Sequence, residues 1–137
     1  MIGIVMIGHA QIASQMKEAL QHILGEQPLI AAVDISEEKS SESLTAHLKM
    51  KIRSCDVGDG VLLLADMFGG TPCNIAMGCL QAGQIEVVSG FNLPLLIKAA
   101  TMRKHVDSVS ALASHVVEAG RQYICMASDY QIGGNRG

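Results

Sequence analysis

The 137-residue sequence has no tryptophan, two phenylalanines and two tyrosines. Phe68, Phe91, Tyr123 and Tyr130 are too few for a platform on which nucleic-acid bases stack. Basic residues are scarce as well: 10 Lys+Arg against 13 Asp+Glu give a formal charge of −3 and a pI near 5.9. Such a chain offers no cationic field to a phosphate backbone, so nucleic acid is excluded as a partner. Long apolar runs are missing too. No stretch reaches the roughly 18 residues of a membrane span, so direct membrane insertion is not expected. The opening Met1–Ile7 run is apolar but short, with no basic segment before it, and it reads as part of the mature fold rather than a signal peptide. Cys55, Cys73, Cys79 and Cys125 form no Cys-x-x-Cys pair and no zinc spacing. Reduced thiols in a cytoplasmic core are the expectation, with no disulfide, no metal and no cofactor.

What is present is apolar and glycine-rich: 49% hydrophobic residues, 17% charged, 14 Gly and a mean hydropathy of +0.31. This composition supports one globular domain with a real core. Apolar runs alternate with amphipathic segments, the pattern of an α/β protein with a parallel sheet. Strands are expected at about Ile2–Ile7, Leu29–Val33, Val61–Ala65 and Ile85–Val88. Between them, Ile12, Met16, Leu20, Ile23 and Leu24 form one helical stripe closed by Gly25, and Leu44, Leu48 and Ile52 form another. A polar loop with Glu37, Glu38 and Lys39 leads into the second helix. Thr71-Pro72 reads as the cap and first position of a third helix. A fourth runs from Gly90-Phe91-Asn92-Leu93-Pro94 towards Arg103. Asp107 is expected to cap a last helix with Val109, Leu112, Val116 and Val117 inward. Tyr123–Met126 suits a short final strand. Residues 1–128 thus read as one domain and 129–137 as a disordered tail.

In an open parallel sheet, ligands bind beyond the carboxyl ends of the strands, where strand order reverses. For the order 2-1-3-4 that crevice lies between strands 1 and 3. His9 follows strand 1 and Asp66 follows strand 3, so residues distant in sequence become neighbours. A carboxylate accepting one ring N–H of His9 would fix the tautomer and leave the other nitrogen as an outward lone pair, a nucleophile. After Asp66 comes Met67-Phe68-Gly69-Gly70-Thr71-Pro72-Cys73-Asn74, a glycine turn running into a helix start. Backbone N–H groups there, with the Thr71 hydroxyl, suit a phosphoryl group. No Lys follows the glycines, so this is not a Walker loop. His22, His47, His105 and His115 read as ordinary polar-face residues, and Met67-Phe68 either anchors a partner or packs under its loop.

The string Asp66–Asn74, the early His9 and Val88-Ser89-Gly90-Phe91-Asn92-Leu93-Pro94 together resemble the mannose-family enzyme IIA (EIIA) domains of the bacterial phosphotransferase system (PTS), over about residues 2–126. The resemblance implies a doubly wound, flavodoxin-like sheet whose short C-terminal antiparallel strand is exchanged across a homodimer. It also implies a phosphoryl carrier, a phosphotransferase component working through phosphohistidine. HPr would donate to His9 at Nε2, Asp66 would orient the ring from the Nδ1 side, and Gly69, Gly70 and Thr71 would hold the phosphoryl group. The acceptor is an EIIB domain serving membrane EIIC/EIID components in sugar uptake.

Three positions depart from the family's pattern. Gly8 stands where the family usually has Thr or Ser, Ala10 where it has Gly, and Cys73 where an aromatic is common; one site hydroxyl is therefore missing. No IIB unit follows within 137 residues, so the acceptor is expected to be a separate protein. Two rivals remain at this stage. One is a regulatory PTS protein whose phosphorylation state controls another protein, and the other a non-catalytic flavodoxin-like ligand-binding domain in which His9 is inert.

Overall fold

A computed structural model describes residues 1–37 and 40–130. Four strands, β1 (Gly3–Gly8), β2 (Ile30–Asp34), β3 (Val61–Ala65) and β4 (Ile85–Ser89), alternate with helices α1 (Ile12–Leu24), α2 (Ser41–Cys55), α3 (Gly70–Met77), α4 (Leu93–Met102) and α5 (Val109–Gln122). All strand pairings are parallel, in the order β2-β1-β3-β4. The crevice therefore falls between β1 and β3, as expected from the sequence.

The two-residue period of a strand divides the core in two. Ile4, Met6, Leu62 and Leu64 face α1, α4 and α5, where Leu20, Leu96, Leu112 and Val116 meet them. Val5, Ile7, Leu63 and Ala65 face α2 and α3, against Leu44, Leu48, Ile52 and Ala76. β1 and β3 are buried along their whole length. That is why they read as unbroken apolar runs, and why their carboxyl ends make a stiff floor for a site.

The Gly90–Pro94 string has a structural explanation. Asn92 caps α4 by accepting the Leu95 N–H at 2.9 Å, and its amide donates to the Gly120 carbonyl at 3.0 Å, tying α4 to α5. Pro94 stands in the first turn of α4, where a missing N–H costs nothing. At the other end of α4, buried Arg103 donates to the carbonyls of Ile2 (3.2 Å) and Pro28 (2.7 Å). It joins α4 to the segments that enter β1 and β2.

Several local expectations need correction. The cap of α5 is Ser108, whose Oγ accepts the Ala111 N–H at 3.1 Å, rather than Asp107. Ser108 has the extended backbone a cap requires, and a short polar residue at either position suits that role in sequence. Thr71 does not cap α3. Gly69 does, because Gly69 and Gly70 both take positive φ (86° and 80°) and turn the chain before Thr71 is reached. Tyr123–Met126 forms no strand within this chain. Tyr123, Ile124 and Met126 are exposed, and a 3-10 turn, Ala127–Tyr130, follows. Asp129 and Tyr130 belong to that turn, whereas the rest of the expected tail lies outside the described residues. So do Glu38 and Lys39 of the polar loop, which opens with a 3-10 turn, Ile35–Glu37.

Candidate functional site

The site is assembled by the sheet. β1 and β3 are in register from Gly3↔Val61 to Ile7↔Ala65, and the Asp66 N–H extends the ladder by donating to the Ile7 carbonyl at 3.2 Å. His9 and Asp66 therefore leave adjacent strands at the same level. One carboxylate oxygen, Asp66 Oδ2, accepts the His9 backbone N–H at 2.9 Å and lies 2.8 Å from His9 Nδ1. A carboxylate can only accept, so Nδ1 carries the proton and Nε2 holds the lone pair. The His9 ring is 48% exposed and the Asp66 side chain 9%. The ring is thus half exposed while the carboxylate beside it is shielded.

Burial alone would raise the Asp66 pKa. The hydrogen bonds from the His9 backbone and ring, the positive charge His9 can carry, and the Met67 N–H outweigh it, so the carboxyl is held below its ordinary value. Asp66 therefore stays ionised throughout the neutral range.

Gly70 closes the other side of the ring. A Cβ built on Gly70 would lie 3.3 Å from His9 Cε1 and 3.5 Å from Nε2, on a backbone with φ of 80°. Glycine there keeps the approach to Nε2 open and also permits the turn. Gly69 meets nothing within 4 Å and needs glycine only for its φ of 86°. Thr71 follows Gly70 in the first turn of α3 and is exposed. Met67 and Phe68 are exposed beside the site, Phe68 by 75%, so they do not pack under their loop.

The departures acquire physical reasons. A Cβ on Gly8 would fall 2.4 Å from Ile12 Cγ2 and 3.3 Å from the Asp66 Cβ and Cγ. A Cβ at position 8 would therefore require the Ile12 side chain to move aside. Ala10 adopts a φ of 50°, the left-handed region that a glycine enters freely.

Two residues that the sequence did not point to hold this loop and the start of α1. Ser36 Oγ donates to the Ala10 carbonyl at 3.1 Å, and Asp34 Oδ1 accepts the Ser14 N–H at 3.0 Å. The one available signal was position, since Asp34 ends β2 as Asp66 follows β3. His22, His105 and His115 are exposed, and among the described residues no three His, Cys, Asp or Glu side chains gather as a metal would require.

Residues 3–117 match the family model EIIA-man, described as the PTS system fructose IIA component. The chain is 31% identical over 127 residues to the PTS sorbose-specific EIIA component of Lacticaseibacillus casei, covering 92% of this chain and 91% of that protein. It is 30% identical over 122 residues to the PTS mannose-specific EIIAB component of Escherichia coli, covering 88% of this chain but only 38% of that longer protein. Among solved structures, phosphotransferase system component EIIA from Streptococcus agalactiae superposes with a TM-score of 0.84 at 25% identity, over 93% of this chain and 98% of that one.

Proposed function

The chain belongs to the EIIA-man family, and from that membership we propose that it is a phosphoryl carrier of the phosphotransferase system, with His9 as the residue that carries the group. The observation that supports the reading most directly is the pair formed by His9 Nδ1 and Asp66 Oδ2 at 2.8 Å, which leaves Nε2 to carry the lone pair of the neutral, half-exposed ring.

In the forward step the Nε2 lone pair forms a bond to phosphorus as the bond from phosphorus to the donor breaks, and the donor keeps that electron pair. No proton moves at Nε2. The Nδ1 proton stays on the ring, and Asp66 stabilises the positive charge that grows there as the N–P bond forms. The acceptor reverses these events. The Gly69-Gly70 turn and the start of α3 present backbone N–H groups and a partial positive charge to the phosphoryl oxygens, with the Thr71 hydroxyl as a further donor. The helix-end contribution is modest, about 0.3–1 kcal/mol where exposed. The transferred group is never committed to a deep pocket, which suits a carrier that must release it again.

Within this reading the donor is HPr and the acceptor an EIIB component, coupled indirectly to membrane EIIC/EIID. The setting is the cytoplasm; among the described residues no helix is long and apolar enough to cross a membrane. Residues 1–128 are taken as one EIIA unit. The chain is further proposed to be a homodimer in which Tyr123–Met126 pairs with a second copy. Two features support this: those residues are exposed, and β4 is an open sheet edge beside a groove of about 820 Å³ between β4 and α5.

The test is incubation with enzyme I, HPr and phosphoenolpyruvate, followed by intact-mass measurement. One acid-labile phosphoryl group, absent from His9→Ala, is expected. No adduct, or an adduct that survives the substitution, refutes the assignment.

A further inference from the structure

α1 begins without a cap of its own. Its N-cap residue, Gln11, sits at φ −112° and ψ 21° and makes no side-chain bond to the first turn, and glutamine is not among the residues that cap well. Exposed N–H donors at a helix start must find acceptors elsewhere. One acceptor comes from a different strand: Asp34 Oδ1 takes the Ser14 N–H at 3.0 Å. Asp34 is only 4% exposed and stands in register with Gly8, the residue before His9.

This arrangement fixes both ends of the five-residue span His9–Ala13. Gly8 is held by the sheet, and Ser14 is held to the end of β2 by a carboxylate whose charge suits a helix N-terminus. Between them, Ala10 is kept at a φ of 50°, which a residue with a Cβ maintains only when its surroundings impose it. Ser36, two residues beyond Asp34, adds a second restraint by donating to the Ala10 carbonyl at 3.1 Å. His9 must present its backbone N–H and its ring Nδ1 to the same oxygen of Asp66, at 2.9 and 2.8 Å. Only a defined backbone course through His9-Ala10-Gln11 satisfies both bonds together.

We propose that Asp34, assisted by Ser36, is a positioning residue for His9, acting through the start of α1 and the strained Ala10 rather than by touching the reacting atoms. The proposal rests on the reading of His9 as phosphoryl acceptor for its consequence, but its geometric content is measurable without any phosphoryl donor. Asp34 ends β2 and Ser36 lies in the turn that follows it, so a third strand end joins β1 and β3 in shaping the site.

The experiment compares Asp34→Ala, Asp34→Asn and Ser36→Ala in the full chain by two readouts. The first is ¹⁵N NMR of the His9 ring and backbone amide in the unphosphorylated protein. The second is the rate of phosphorylation by phospho-HPr. Asp34→Ala is expected to displace the His9 amide signal, mix the ring tautomers and slow phosphorylation at least about tenfold, as misplacement of a reacting group does. Asp34→Asn keeps an oxygen acceptor and is expected to retain the wild-type tautomer and a rate within about threefold. Wild-type His9 signals and rate in Asp34→Ala overturn the proposal, and so does Asp34→Asn behaving like Asp34→Ala. Should Asp34→Ala fail to fold, Ser36→Ala on an exposed side chain decides: shifted His9 signals support the clamp and unmoved ones overturn it. A wild-type protein that takes no phosphoryl group counts against the carrier reading alone, and the NMR comparison still judges the clamp.

Discussion

At the scale of single residues, the proposed mechanism divides tasks between a shielded carboxylate and a half-exposed ring. Because hydrogen bonds hold the Asp66 pKa below its ordinary value, its contribution to stability is complete above the unfolded carboxylate value of about 3.9. That contribution is lost as pH falls through the lower folded value. Urea unfolding of wild type and Asp66→Asn should therefore show a stability gap at neutral pH that narrows below about pH 4; a gap that widens on acidification contradicts this. The same substitution is expected to slow phosphorylation of His9 without unfolding the chain. Gly70→Ala tests the open approach to Nε2. It places a Cβ 3.3 Å from His9 Cε1 at a φ of 80°, so stability should fall by about 1–2 kcal/mol and transfer by about tenfold or more. Unchanged kinetics would show that the glycine serves only the turn. The pairing of His9 with Asp66 was legible in sequence because each follows a buried apolar run. The positive φ of Ala10 was not, since nothing in its neighbours announces it; the Ser36 and Asp34 restraints exist only once β2 lies beside β1.

At the scale of elements, β1 and β3 were readable because burial on both faces demands continuous apolar sequence. The helix starts were less so. Ser108 and Asp107 are adjacent and both suited to capping, and the two positive-φ glycines moved the start of α3 ahead of Thr71. Arg103 shows a different limit: an arginine in sequence reads as surface, yet this one is buried by its bonds to the Ile2 and Pro28 carbonyls. Asn92 is the element-scale residue with the clearest energetic role. Asn92→Ala removes the α4 cap and leaves the Gly120 carbonyl without its side-chain donor. A loss of about 2 kcal/mol is expected in chemical denaturation, with His9 phosphorylation intact in the folded fraction. A loss near zero would mean that water replaces both bonds.

At the scale of the whole molecule, the candidate site lies at one end of the sheet, whose four strands among the described residues leave β4 at an edge. Tyr123–Met126 suited a strand by composition, yet it lies exposed and outside the described sheet; the homodimer proposal gives it a partner in a second copy. Sedimentation of the full chain should give a dimer, and a chain ending at Gln122 a monomer; a monomeric full chain contradicts the exchanged-strand proposal. The scarcity of aromatic and basic residues agrees with the proposed role, in which protein partners dock at His9 beside the exposed Met67 and Phe68. In the proposed carrier the phosphoryl group resides on His9 Nε2 while Asp66 keeps the Nδ1 proton in place. Long-range ¹H–¹⁵N and ³¹P NMR of the phosphorylated, ¹⁵N-labelled protein tests it most directly. Phosphorus coupled to Nε2 of His9, with Nδ1 protonated, is the predicted result. Phosphorus on Nδ1, or on any other residue, contradicts it.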